Sequence, residues 1–410
     1  MTVLDYIDIH AKAMPGKIAL TTKDGDISYR ELAMRMRDND RSLPIPLLGD
    51  AWDGDFVLYT TGSTGKPKGV IISQRAVIAN SENLIEGHGY SADTFFIIAG
   101  AMDHLGCWSK IFPTLMAGGT LCVLRDGMKS ISDFFTAADS AVRYGSPKVA
   151  TFLVPSNVRI LMSQAADLLR SHADSIDFIE SGGAPLAQSD MQRMCNLLPH
   201  TRLYNTYAST ETGVMTTYNY NDGRCISGCL GKPLKHSHVF ITERGTIACK
   251  GDTLMSGYKD NPELTAEIMS DDTVFTADNG FIDSEGMLHI EGRTDDIINT
   301  GGFKVAPPEV EEAALCHESV GDCICISRPH PILGEALELL VIVKEGHTLD
   351  KRQLAQHLAN RLEKYKVPIY YKEVLSIERT SNGKLNRKTY RSAYQGCGAT
   401  SGFSSSKYMP

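Results

Sequence analysis

Tyr59-Thr60-Thr61-Gly62-Ser63-Thr64-Gly65-Lys66-Pro67-Lys68-Gly69-Val70 is the stretch around which the rest of the 410-residue chain is read. Its twelve residues hold three glycines, four hydroxyl side chains (Thr60, Thr61, Ser63 and Thr64) and two lysines, and the apolar Phe56-Val57-Leu58 leads in. That composition predicts a pliable loop leaving a strand, with backbone N–H groups, hydroxyls and cations all available to a polyanion such as a triphosphate. Composition alone fits a solvated Gly/Ser/Thr surface loop equally well.

A Walker-type phosphate loop needs a Gly, four residues, then Gly-Lys-Ser/Thr opening a helix. Here Thr60 stands where the first Gly belongs, and Pro67 replaces the hydroxyl residue that would hold magnesium. The wording from Tyr59 to Val70 instead resembles the phosphate loop of the adenylate-forming superfamily, which includes acyl-CoA synthetases, adenylation domains and luciferases. The resemblance implies that Thr61, Gly62, Ser63, Thr64, Gly65, Lys66 and Lys68 bind ATP.

Five further motifs follow in the superfamily's order. Ser181-Gly182-Gly183-Ala184-Pro185-Leu186 resembles the adenine-binding loop, implying nucleotide contacts at Gly182, Gly183 and Ala184; two adjacent glycines allow a flat ligand close to the backbone. Asn205-Thr-Tyr207-Ala-Ser-Thr210-Glu211-Thr-Gly213 is similar to the Asn-x-Tyr-Gly-x-Thr-Glu motif. By that likeness Asn205 contacts the nucleotide, Tyr207 offers an aromatic face to adenine, Thr210 meets the α-phosphate and Glu211 holds Mg²⁺. As an isolated string it equally fits a helix N-cap at Ser209 or Thr210. Phe275-Thr276-Ala277-Asp278 resembles the Thr-Gly-Asp motif whose aspartate grips the ribose, with Arg293 as a second ribose or phosphate contact. Ala208 and Ala277 each replace a Gly of the family pattern, a change that is tolerated only where φ is negative.

Gly301-Gly302-Phe303-Lys304-Val305 matches the loop presented for thioester formation, implying roles for Gly302 and Phe303. Arg379-Thr-Ser-Asn-Gly383-Lys384 resembles the C-terminal lysine loop, and by that likeness Lys384 is the catalytic cation that neutralises charge as the carboxylate meets the α-phosphate. The family's preceding Leu-Pro is Ile377-Glu378 here. His104 matches the gate beside the acid substrate. Leu105 stands next to it, where amino-acid-activating relatives carry an aspartate, and a buried ammonium without a counter-charge is strongly disfavoured, so α-amino acids are not expected. Leu105, Cys107 and Phe152 to Pro155 suggest an apolar pocket for an aryl or medium-chain acid.

The net charge of −8, from 41 basic and 49 acidic residues, argues against nucleic acid as a partner. No apolar run approaches the roughly 20 residues of a membrane span, and Met1 to Met14 lacks the pattern of a secretory signal, so no membrane partner and a cytoplasmic location are expected. The ten cysteines sit at irregular spacings, and Cys323-Ile-Cys325-Ile reads as a buried strand rather than a zinc site.

The expected fold class is α/β. Strand and helix alternate from Val70 onward, predicting parallel-rich sheets with helices on their faces and ligands beyond the strand carboxyl ends. An N-terminal adenylation domain is expected over 1–294, with a β-rich subdomain over about 231–294. A small mobile α+β lid follows over 295–394, swinging at Asp295, and a disordered tail over 395–410. In the family a much longer segment separates the opening elements from the phosphate loop; the short Leu43-Pro-Ile-Pro46 linker here implies a shortened first subdomain. The implied activity is ATP-dependent, Mg²⁺-assisted activation of a carboxylic acid as an acyl-adenylate, with transfer to coenzyme A. A carrier-protein phosphopantetheine as acceptor, or a degenerate nucleotide-binding protein without turnover, are the alternatives.

Overall fold

The computed structural model describes residues 1–45, 54–61, 67–379, 385–387 and 389–390. Two compact units divide the chain, residues 1–291 and 292–410.

The large unit opens with α1 (Val3–Ala13), β1 (Ile18–Thr22), β2 (Gly25–Ser28) and α2 (Tyr29–Arg37). A capping box between Thr2 and Asp5 starts α1, and the Ser28 hydroxyl caps α2. Next come β3 (Phe56–Thr61) and β4 (Pro67–Ile72), an antiparallel hairpin in which Thr61 opposes Pro67. The phosphate-loop residues Gly62 to Lys66 lie outside the described residues, but the segment that they close is strand to strand, unlike the strand-to-helix passage of a Walker loop.

Helix α3 (Gln74–His88) is capped by Ser73 and ends on left-handed Gly89. The alternation then runs β5 (Thr94–Ile98), α4 (Leu105–Met116), β6 (Thr120–Val123), α5 (Ile131–Ser140), β7 (Lys148–Leu153), α6 (Pro155–Gln164), α7 (Ala166–Ser171), β8 (Ile176–Gly182), α8 (Gln188–Leu197) and β9 (Arg202–Ser209). Strands β1, β6, β5, β7, β8 and β9 lie side by side and parallel. Strand β5 shows why its unbroken apolar run is needed: Phe96 and Ile98 enter one core, with α1, α2 and α4, while Phe95 and Ile97 enter the other, beneath α5 to α8.

From β10 (Gly213–Asn219) the pairing becomes antiparallel through β11 (Cys229–Pro233), β12 (Ser237–Ile241), β13 (Thr246–Gly251), β14 (Gly257–Tyr258), α9 (Pro262–Ile268), β15 (Met269–Ser270), β16 (Thr273–Ile282) and β17 (Leu288–Arg293). This β-rich stretch has its own small core around Met215, Ile247 and Leu288. It is not a detached sheet, however. Strand β11 pairs with β10, so most of these strands extend the large sheet in the order β12-β13-β16-β17-β11-β10-β9. Strand β14 instead joins β4 and β3.

In the small unit, β18 (Ile298–Thr300), β19 (Phe303–Val305), α10 (Pro307–Leu315), β20 (Val320–His330), β21 (Gly334–Val343), α11 (Lys351–Ala359) and β22 (Tyr370–Glu373) form a five-stranded sheet with two helices. Helix α11 ends at Ala359, and β22 runs parallel to β21 as far as Glu373. Cys323 and Cys325 are buried on β20. Among the described residues no helix is long and apolar enough to cross a membrane.

Candidate active site

Strands β8 and β9 run parallel as neighbours, with Ser181 opposite Asn205 and Gly182 opposite Thr206. Two of the motifs therefore leave adjacent strand ends on the same edge of the sheet, where α/β sheets gather their ligands. Gly182 is required there by space: a Cβ would fall 2.8 Å from the Thr206 carbonyl oxygen. Gly183, at φ +80°, is exposed, and Ala184 is half-buried.

The second motif is not a helix cap. Residues 205–209 complete β9, the chain turns through Thr210, Glu211 and Thr212, and β10 returns antiparallel with Val214 opposite Ala208. Ala208 and Ala277 both lie within strands and neither takes a positive φ, so the methyl groups that replace the family's glycines cause no backbone strain. The Asn205 amide donates to the Cys229 carbonyl at 3.0 Å, tying β9 to β11.

The Tyr207 hydroxyl donates to the Asp278 carboxylate at 2.6 Å, joining residues 71 positions apart. Asp278 is projected by a bulge. Thr246 opposes Asn279 while Ala248 opposes Phe275, so residues 276–278 face the single Ile247, and the Thr276 hydroxyl holds the Asp278 N–H at 3.2 Å.

Glu211 is met by a residue that the sequence did not single out. The Tyr258 hydroxyl donates to Glu211 Oε1 at 2.8 Å, and the Met255 N–H donates to the Glu211 carbonyl at 2.9 Å. Burial, with the Glu211 charge, pushes the Tyr258 phenol up, so it stays protonated and a donor. Tyr258 pairs with Val70 of β4, and Lys68 Nζ lies 5.4 Å from its ring centroid. Tyr258 thus links the edge of the phosphate loop to Glu211. The only sign of it in the sequence is an aromatic after Gly257, which is too common to be a signal.

Thr210 lines a small cavity with Leu105 and Trp108 of α4 and with Ile72 and Gly213. His104 caps α4, its Nδ1 accepting from the Gly106 N–H at 3.2 Å. In the core behind, Lys110 Nζ donates to Glu180 Oε1 at 2.7 Å with both side chains fully buried, and His88 Nδ1 stands 3.6 Å from Glu180 Oε2. These three were also not singled out by the sequence.

The small unit holds the remaining candidates. Arg293 ends β17 and Asp295 lies in the short 3₁₀ turn that follows. Gly301 and Gly302, both at positive φ, form the turn between β18 and β19, and exposed Phe303 stacks on Tyr365 with centroids 4.5 Å apart. Lys384 and the loop from Thr380 to Gly383 lie outside the described residues. The base of that loop is pinned: Arg379 bridges Leu385, the Asn386 N–H donates to the Glu378 carbonyl at 2.9 Å, Arg379 pairs with Asp322, and Arg387 grips Glu311 at 2.6 and 2.7 Å.

The family model described as AMP-binding enzyme matches residues 37–259, and that described as AMP-binding enzyme C-terminal domain matches residues 309–384. The chain is 28% identical over 362 residues to the long-chain-fatty-acid–CoA ligase of Bacillus subtilis, covering 84% of this chain and 63% of that one. It is 28% identical over 394 residues to the indoleacetate–CoA ligase of Aromatoleum aromaticum, covering 90% and 72%. The chain thus spans somewhat less than two thirds of the first of these relatives. The crystal structure of ATP-bound MatB from Rhodopseudomonas palustris superposes with a TM-score of 0.80 at 22% identity, covering 96% of this chain and 100% of that one, a likeness of fold. The two family models follow one another along the same chain as the motifs do, and the chain belongs to the AMP-binding enzyme family, the adenylate-forming superfamily that its phosphate-loop wording resembles.

Proposed function

We propose that this chain is an ATP-dependent acid–thiol ligase that activates a carboxylic acid as an acyl-adenylate and passes the acyl group to coenzyme A. The observation that carries the reading is the convergence, within the large unit, of the Gly182 loop, the Tyr207–Asp278 pair and Glu211, which Tyr258 joins to Lys68. The CoA-ligase names of the relatives support the same chemistry.

Tyr207 and the glycines at 182 and 183 would seat adenine, and Asp278, held by Tyr207, would accept the ribose hydroxyls. Asn205, wired to β11, would keep this edge in register. Arg293 adds a ribose or phosphate contact. The hydroxyls, N–H groups and lysines from Thr61 to Lys68 bind the phosphates. Glu211 fits a magnesium site: Mg²⁺ is held through one or two carboxylates plus substrate phosphates, and Glu211 supplies such a carboxylate, oriented by the Tyr258 hydroxyl. When bound, Mg²⁺ supplies charge neutralisation on the phosphates. Thr210 donates to the α-phosphate, His104 gates the acid, and Lys384 neutralises charge as the acid oxygen attacks the α-phosphorus and pyrophosphate departs. The small unit then turns at Asp295, presenting Gly302 and Phe303 to the thiol, which displaces AMP. Splitting the reaction in this way replaces hydroxide, a poor leaving group, by AMP. Buried Leu105, Cys107 and Phe152 favour an apolar acid, aryl or medium-chain.

ATP–pyrophosphate exchange across a panel of carboxylic acids, followed by thioester formation with coenzyme A, tests the reading. Acid-dependent exchange and a CoA thioester are expected. Absence of exchange with every acid at saturating Mg·ATP would refute it.

A further inference from the structure

The adenylation reading underlies this inference, which concerns the depth of the acid pocket. Gly106 and Lys110 lie one turn apart on α4, just inside His104. A Cβ on Gly106 would fall 2.4 Å from the Phe152 ring, and one on Gly182 would fall 3.5 Å from the same ring. Lys110 Nζ lies 5.5 Å from the ring centroid. Phe152, buried near the end of β7, therefore fills the slot between the first turn of α4 and the end of β8. Glycine is a poor helix former, and its place in this turn is accounted for by the ring, which leaves no room for even a methyl group.

We infer that Phe152 is a specificity-determining residue that closes the acyl pocket, admitting compact aryl acids and excluding linear chains. An acyl group entering past His104 along α4 meets the ring at Gly106. A flat aromatic acid ends there and stacks against it. A linear chain must displace it. The Lys110–Glu180 ion pair, with Lys110 Nζ 5.5 Å from the ring centroid and Glu180 paired with Phe152 across β7 and β8, forms a second, fixed floor behind the ring. Removing the ring therefore opens the space down to that ion pair and no more.

The test is ATP–pyrophosphate exchange by the full chain with benzoic acid and with linear acids from acetic to dodecanoic, in wild type, Phe152→Ala and Phe152→Leu, with thermal unfolding as the check on folding. The ratio of kcat/KM for octanoate to that for benzoate is expected to rise at least about tenfold in Phe152→Ala and by less in Phe152→Leu. Dodecanoate, which would reach the ion pair, is expected to stay poor. Phe152→Leu reads the same shift should Phe152→Ala not fold. An unchanged ratio in folded variants that still exchange overturns the pocket assignment alone; no exchange with any acid in any of the three proteins overturns the ligase reading and this inference with it.

Discussion

Replacing Lys110 by Met should destabilise the large unit by about 3–5 kcal/mol, the usual cost of leaving one member of a buried ion pair without its partner. Lys110 and Glu180 are each 1% exposed and 2.7 Å apart, so water cannot solvate the carboxylate left behind. At ~2–4 °C per kcal/mol for a domain of this size, the midpoint of thermal unfolding should fall by roughly 6–20 °C. The double replacement Lys110→Met/Glu180→Leu removes both charges and should recover most of the loss, because well-packed apolar substitutes for a buried pair are often neutral or better. A further signature comes from His88, whose Nδ1 stands 3.6 Å from Glu180 Oε2. In the wild type burial, reinforced by Lys110, holds this imidazole neutral; without Lys110 the unpaired carboxylate favours its protonated form. The deficit of Lys110→Met should therefore shrink as pH falls below about 6.5, the ordinary histidine value. Differential scanning fluorimetry and urea unfolding at several pH values measure all three. A single variant as stable as the wild type, or a double variant no better than the single, would refute the reasoning.

Tyr258→Phe removes the donor to Glu211 without altering the packing; a hydrogen bond to a charged acceptor contributes about 1.5–3 kcal/mol, so kcat/KM for exchange should fall by roughly 10- to 150-fold, with a raised Mg²⁺ requirement. A variant with wild-type exchange and Mg²⁺ dependence would show that Tyr258 does not orient the carboxylate. Wild-type stability should decline as pH falls below about 6.5, because burial, with Lys110 and Arg202 nearby, holds His88 well below that value: the unfolded chain takes up a proton there that the native protein resists, losing up to ~1.4 kcal/mol per pH unit until the native His88 titrates. His88→Gln should flatten that part of the profile; an unchanged slope assigns it to other groups. Lys384→Ala should abolish adenylate formation while leaving transfer from a supplied adenylate largely intact, and equal loss of both steps would contradict its assigned role.

What the sequence made legible was local wording. Strand and helix alternation and the motifs could each be read in place because each depends on a few neighbouring residues. What it hid was pairing. That the Gly182 loop and the Thr210–Glu211 turn spring from adjacent parallel strands is a matter of register, and that most strands of the β-rich stretch from β11 to β17 extend the large sheet follows from one contact, β10 with β11. The expectation of a β-rich subdomain over about 231–294 carries no information about that pairing. Tyr258 was illegible because its meaning lies wholly in partners distant along the chain, Val70 across a strand pair and Glu211 through a hydroxyl. The two glycine-to-alanine departures teach the complementary lesson: the motif pattern marks Ala208 and Ala277 as suspect, yet both sit in extended strand backbone that any residue adopts. The family's glycines at these positions therefore are not demanded by backbone torsion in this fold. Neither alanine, on these grounds, argues that the nucleotide site has decayed, and the case for a living enzyme passes to the groups that a dead one has no reason to keep in contact: a tyrosine hydroxyl on Asp278, another on Glu211, and a lysine over the second ring.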